Sequence, residues 1–149
     1  MNYLEIRDAT SEDVEQILAI ENEAFHQPWK KEDILFEIEE SPYTQFLVAE
    51  QNKRIIGFTI YFVTFDTASI AQIAVQKEFR RQHIGDALMD ELIKDTFAKK
   101  VSFITLEVRE SNIPAIAFYK KWKYFFVLKK ERYYPDGENA LYMMRKVLG

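Results

Sequence analysis

One stretch restricts the fold of this chain more than any other: "VSFITLEV", Val101 to Val108. It is apolar or weakly polar until Glu107, and mostly β-branched or aromatic. A strand with apolar residues on both faces must be covered on both faces, which places it inside a sheet with helices above and below. The neighbouring segments supply such helices. Upstream, Arg81 to Ala98 presents Ile84, Leu88 and Leu92 along one side. Downstream, Ile113 to Trp122 carries Pro114 in its first turn, where proline is tolerated.

The remaining elements read outward from that strand. "YLEIR" is a short first strand, and Thr10 or Ser11 caps a helix whose stripe takes in Val14, Ile17, Leu18 and Phe25. "QPWKKEDILFEIEE" gives a second short helix after Pro28. "QFLVAE" and "RIIGFTIYFV" form a hairpin about Gln-Asn-Lys, and "ASIAQIAV" extends that antiparallel set. Two last strands flank "YYPDGEN", whose Pro-Asp-Gly is a turn signal. The order is βααβββαβαββ, an α/β fold with a mixed sheet, helices on both faces and a right-handed crossover through the third helix. With no repeat or low-complexity linker, one domain over 1–149 is expected.

Composition narrows the chemistry. The chain has no cysteine, so a thiol nucleophile, a disulfide framework and a thiolate metal site are excluded. His26 and His83 stand far apart with no ligand spacing, and no metal is expected. No apolar run approaches the roughly 20 residues that span a bilayer. "MNYLEIRDAT" is charged where a signal peptide needs an apolar core, so a cytoplasmic protein without a membrane partner is expected. The net charge of −4 opposes nucleic-acid binding. One segment runs against it: "YKKWKYFFVLKKERYY" holds six basic residues and one acid, with aromatics between them. Lys120, Lys121 and Lys123 are read instead as cations ending a helix, where they suit its dipole.

Only four glycines occur, at 57, 85, 137 and 149, and Gly85 opens a helix in "VQKEFRRQHIGDALMDEL". The first N–H groups of a helix lack intrahelical partners, and Arg80 and Arg81 add charge beside the positive end of the dipole. The result is an anion cradle of pyrophosphate size, or simply a solvated arginine pair at a helix start. Glu107 closes the apolar strand, either as a partly desolvated general base or as a glutamate at a solvent-facing mouth. Tyr119 lies twelve residues on, in the next helix. A phenol there serves as a proton donor to a leaving thiolate, or as an ordinary core tyrosine.

The pieces "FRRQHIG", "LEVRESNIPAIAFY" and "RYYPDGENALYM" together resemble a GNAT-superfamily N-acetyltransferase, closest to the RimI-like ribosomal-protein-alanine N-acetyltransferases. The resemblance covers nearly the whole chain, including "HQPWKKEDI", and its most specific portion is "LEVR-x-SN-x-x-AI-x-x-Y". It implies the acyl-CoA N-acyltransferase fold and acetyl-CoA as co-substrate. The pyrophosphate loop then falls on Arg80, Arg81, Gln82, His83, Ile84 and Gly85, and the strand that pairs with the pantetheine arm on Ile73, Ala74 and Val75. Asn112 contacts CoA, Glu107 is the general base and Tyr119 the general acid. The strands carrying Val75 and Glu107 are implied to splay apart.

Two positions depart from the family pattern. His83 stands where the loop's first glycine is usual, and Lys123 stands where glycine usually precedes an aromatic, so that a different helix stop is expected. The imidazole of His83 either favours phosphate or crowds the cradle, and histidine is among the residues better able to take φ > 0. The reaction implied is direct acetyl transfer to an amine, with a backbone N–H near Val75 stabilising the oxyanion. A peptide α-amine is roughly a tenth neutral at pH 7 and a lysine about a two-thousandth, so a modest base serves an N-terminus more easily. The resemblance points to the N-terminal alanine of a small-subunit ribosomal protein, read in a groove between "AFHQPW" and "ERYYPDG". Acetylation of a polyamine or another small amine, and a non-catalytic acyl-CoA-binding module, are the alternatives.

Overall fold

Successive side chains of a strand point to opposite faces of its sheet, and in this chain both faces are apolar. The computed structural model describes residues 3–147; Gly149 and the outermost residues of the expected 1–149 domain lie outside them. Seven strands are interleaved with four helices in the expected order. They are β1 (Leu4–Asp8), α1 (Val14–Ala24), α2 (Lys31–Glu39), β2 (Thr44–Gln51), β3 (Arg54–Thr64) and β4 (Thr67–Val75). Then come α3 (Ile84–Ala98), β5 (Phe103–Arg109), α4 (Ile113–Lys121), β6 (Phe125–Lys130) and β7 (Ala140–Lys146). One sheet holds all seven strands, in the order β1-β2-β3-β4-β5-β7-β6.

Each face has its own core. Phe46, Val48, Phe58 and Ile60 pack with Ile17, Ile20 and Ile34 of α1 and α2. Leu47, Ala49, Ile104 and Leu106 pack with Leu88, Met89, Leu92 and Ile116 of α3 and α4. Ile104 is fully buried and Leu106 nearly so, which is the central-strand placement expected of the "VSFITLEV" run.

Of the register breaks in the sheet, one lies between β3 and β4. β3 pairs with β4 through Ile60↔Gln72 and then Tyr61↔Ile70, leaving Ala71 as an extra residue on β4. A bulge of this kind bends the strand that carries it. β4 and β5 are parallel and paired from Thr67↔Phe103 to Ile70↔Leu106, and the pairing stops there, at the bulge. Beyond it β4 stays with β3 as far as Gly57↔Val75, while β5 stays with β7 as far as Arg109↔Ala140. A gap opens between them.

Glu21, at the end of α1, anchors the next loop above that gap. Its Oε1 accepts the Trp29 N–H at 3.0 Å and the Gln72 side-chain N–H at 2.8 Å, so the loop after α1 is tied to the bulged part of β4. Burial pushes the Glu21 carboxyl up.

Strand ends differ from expectation by a residue or two, and three helix boundaries also differ, two of them for a backbone reason. α3 starts at Ile84 instead of Arg81, because Arg81 and His83 take φ of 65° and 63°, which no right-handed helix contains. α4 ends at Lys121. Lys123 does not produce a different stop: it takes φ 73° and makes the left-handed turn that a glycine would make. Phe25, expected on the α1 stripe, lies one residue past the helix in extended conformation.

Gly57 sets how closely α3 approaches the sheet. A Cβ there would lie 3.0 Å from the Ala74 carbonyl oxygen and 3.3 Å from both Ile84 Cγ2 and Leu88 Cδ1. The carbonyl is backbone and cannot turn aside. Gly57→Ala is therefore expected to lower unfolding free energy by about 1–3 kcal/mol, the usual cost of overpacking, measured by urea denaturation.

Candidate active site

Where β4 and β5 part, a cleft of about 620 Å³ runs from Arg80 and Gly85 past Val75 to Asn112, Phe118 and Tyr119. A smaller lobe of about 250 Å³ joins it through Ile73, Arg109, Asn112 and Tyr119, and is walled by Glu107, Gln27 and Tyr134. The loop after α1 contributes Phe25 and His26 to both lobes.

The β4 wall offers backbone groups that no neighbouring strand pairs with. Gln76 N–H donates to the Ile56 carbonyl across β3 at 2.8 Å. Because alternate residues direct their polar groups to opposite edges, those of Ile73 and Val75 face the edge that β5 has left. Val75 C=O is met there by Arg80 Nε at 3.3 Å. Ala74, between them, sends its peptide groups to β3 and buries its methyl in the core, so of this trio it contributes wall rather than hydrogen bonds.

The start of α3 forms the far end of the cleft. The first intrahelical bond is Ala87 N–H to His83 C=O, and no side chain caps the helix, which leaves the N–H groups of Ile84, Gly85 and Asp86 for an anion. A Cβ at Gly85 would stand 3.4 Å from the Phe118 ring and 3.9 Å from Val75 Cγ2, filling the space in front of those donors. The residues fit a pyrophosphate group. They are placed unequally: Arg80 and Gly85 line the cleft, whereas the Arg81, Gln82 and His83 side chains do not. Ile84 is 4 % exposed and packs in the core, so only its N–H is available.

His83 neither reaches toward an anion nor crowds the cradle. Its ring is turned back, with Nδ1 2.9 Å from Asp86 Oδ2. Asp86 in turn accepts from Trp122 Nε1 and Lys121 Nζ, each at 2.7 Å, which ties the loop to the end of α4. Burial pushes the Asp86 carboxyl up, but hydrogen bonds from Lys121, His83 and Trp122 outweigh it and bring it down to about 2.

Asn112 is the N-cap of α4, its Oδ1 accepting the Ala115 N–H at 3.3 Å, and it lines both lobes. Tyr119 is 8 % exposed, packed edge-on against Phe118 and Tyr124, and also faces both lobes. Burial pushes its phenol above the ordinary value. Glu107 faces the smaller lobe from β5, opposite Tyr142 of β7. It is not surrounded by apolar groups alone: Lys130 Nζ donates to its Oε1 at 3.0 Å. Among the described residues, no group of three or more His, Asp or Glu side chains is placed to hold a metal ion.

Sequence reasoning passed over Arg109, although its two-residue offset from Glu107 puts it on the same strand face. Its guanidinium lies 4.1 Å from the Tyr134 ring centre and pairs with Asp136 at 2.8 Å and Glu138 at 2.9 Å. Glu138 also accepts the Ser111 N–H, and the hydrogen bonds from Ser111 and Arg109 bring its carboxyl to about 2. The β6–β7 loop is thereby pinned beside the smaller lobe. Lys130 was missed as well, since its meeting with Glu107 depends on a register that spacing does not reveal.

The acetyltransferase (GNAT) family matches residues 12–124 of this chain. A relative from Escherichia coli (strain K12), named [ribosomal protein bS18]-alanine N-acetyltransferase, is 35 % identical over 127 residues, 83 % of this chain and 84 % of that protein. The crystal structure of the ribosomal-protein-S18-alanine N-acetyltransferase from Escherichia coli superposes with a TM-score of 0.90 at 29 % identity, covering 99 % of this chain and 96 % of that one. Ard1 from Thermoplasma volcanium gives 0.91 at 30 % identity, covering 98 % and 99 %.

The Asp86 cluster predicts a pH effect. A carboxyl lowered on folding stabilises the protein above its ordinary value near pH 4, and that contribution fades as pH falls toward 2. Allowing for solvent screening, it amounts to about 1–2 kcal/mol. Asp86→Asn is expected to lose it at pH 7 and to flatten the acid limb, measured by denaturant unfolding from pH 2 to 7.

Proposed function

The chain belongs to the GNAT family of acetyltransferases, and from that footing we propose that it acetylates the N-terminal alanine of a small-subunit ribosomal protein in the cytoplasm, by direct transfer within a ternary complex. That it is an acetyl-CoA-dependent N-acetyltransferase follows from the family. The observation that carries the choice of acceptor is the Escherichia coli (strain K12) relative, whose name specifies such an alanine.

When bound, acetyl-CoA supplies the activated carbonyl and a thiolate leaving group; every other task falls to residues of the chain. The N–H groups at the start of α3 and the Arg80 guanidinium hold phosphate. The free edge of Ile73 and Val75 hydrogen-bonds an extended arm as a neighbouring strand would, and a backbone N–H near Val75 faces the oxygen that gains charge. Asn112, with Oδ1 used by the cap, has its NH₂ left for the ligand. Glu107, directly or through one water, takes the proton that the amine nitrogen sheds as the N–C bond forms and the C–S bond breaks. Tyr119 gives its hydroxyl proton to the departing sulfur and is re-protonated from solvent as Glu107 releases its own. Against a thiol near pKa 8.5 a raised phenol transfers its proton uphill, so the hydrogen bond to sulfur carries much of the stabilisation.

Three variants separate the roles. Gly85→Ala is expected to leave unfolding free energy unchanged or slightly raised, since alanine suits a helix, while acetyl-CoA affinity falls at least about tenfold because the methyl covers the donors; urea denaturation reads the first and calorimetric titration the second. Glu107→Gln is expected to lower kcat by about 10²–10⁴ with acetyl-CoA affinity retained, the residual rate recovering as pH rises and the acceptor amine becomes neutral. Tyr119→Phe should also lower kcat, without that recovery. Thiol release measured with an Ala-starting peptide and with spermine, against pH, decides between this reading and the small-amine alternative. Near-parent turnover in both variants would show that neither residue is the acid or the base.

A further inference from the structure

The carboxylate assigned as base already holds a primary amine. Lys130 Nζ donates to Glu107 Oε1 at 3.0 Å. The contact crosses a strand: β6 is not beside β5, and Lys130 reaches over β7, passing 4.7 Å from the Tyr142 ring centre and 5.3 Å from that of Tyr133. Two rings therefore flank the ammonium while the carboxylate accepts from it. Its hydrogen bond to Glu107 raises the Lys130 ammonium above its ordinary value, which keeps it charged.

Among the described residues, no second cation pairs with that carboxylate. Arg109, two residues along β5, is engaged by Asp136 and Glu138. The phenols of Tyr119, Tyr134 and Tyr142 bring hydroxyls and no positive charge. From the loop side, His26 is the ionisable group that lines the same lobe.

We propose that Lys130 selects the charge state of the acceptor: by occupying the Glu107 carboxylate it excludes a second cation, so that the acceptor amine enters neutral. The inference rests on Glu107 being the base. It supplies a physical ground for preferring an N-terminus, since about a tenth of α-amines are neutral at pH 7 but only about a two-thousandth of lysine side chains. An ammonium brought within a few ångströms of Lys130 meets like-charge repulsion that a neutral amine does not. Without the lysine, a protonated amine is able to pair with Glu107 first and lose its proton there.

The test compares kcat/KM for an Ala-starting peptide with kcat/KM for spermine, from pH 6.5 to 9.5, in the parent and in Lys130→Met, Lys130→Gln and Lys130→Arg. Methionine and glutamine keep an unbranched stem over Tyr142, so lost packing is not what they measure, and unchanged acetyl-CoA affinity marks an intact cleft. Lys130→Met and Lys130→Gln are expected to lower the peptide-to-spermine ratio about tenfold or more at pH 7. In both, the alkaline rise of kcat/KM for the peptide should move to lower pH; Lys130→Arg should keep the parent ratio. The same shift in a His26→Ala background assigns the effect to Lys130. A ratio and profile unchanged in Lys130→Met and Lys130→Gln, beside a slow Glu107→Gln, overturns this inference alone. Near-parent turnover in Glu107→Gln overturns the base assignment and this inference together.

Discussion

The single extra residue at Ala71 is the constraint on which the rest of the molecule depends. Pairing between β4 and β5 ends at Ile70↔Leu106, level with the bulge, and everything of functional interest lies beyond that point. A continuous ladder would have satisfied the polar groups of Ile73 and Val75 with β5, leaving no free edge and no passage between the lobes. The gap is held open from both sides. Glu21 fastens the loop after α1 to Gln72, and the Asp86 cluster fastens the start of α3 to the end of α4.

Charge within the site is arranged locally, and the whole-chain value of −4 says little about it. The basic segment from Tyr119 to Tyr134 supplies Lys121 to Asp86, Lys129 to Glu110 and Lys130 to Glu107. Those three lysines are paired with carboxylates of the same chain. Arg80 differs, lying in the cleft wall where its Nε donates to the Val75 carbonyl. Among the described residues Arg80 has no carboxylate partner, while Glu107 at the other end of the cleft is paired with Lys130.

Much of this was legible before any coordinates, for physical reasons that differ by element. The "VSFITLEV" strand announced itself because burial on two faces leaves no polar alternation, and Pro114 and the Pro-Asp-Gly turn marked their positions through backbone restriction. Glu107, Asn112 and Tyr119 came from a motif, and all three face the cleft. The His83–Asp86 contact spans only three residues, but the tie from Asp86 to Trp122 and Lys121 was hidden, because it depends on a partner helix that comes close only after folding. Lys123 misled for a related reason: a missing glycine suggests a changed turn, yet a lysine held by its surroundings adopts the same left-handed backbone at a cost of about 1–2 kcal/mol. Lys130 was the least accessible, since its contact with Glu107 spans three strands.

The short β4–β5 pairing also divides the sheet mechanically. β1 to β4 form one antiparallel group and β5, β7 and β6 another, and the backbone seam between them is four residue pairs long. An extended ligand lying along the free edge of Ile73 and Val75 would lengthen that seam, acting as a partial strand between two leaves. Occupancy of the cleft would then be felt as cooperativity. Amide protons of β4 and β5 beyond the bulge, far apart in sequence, would come to exchange as one unit, and the enzyme would be most rigid when loaded and ready to receive its acceptor.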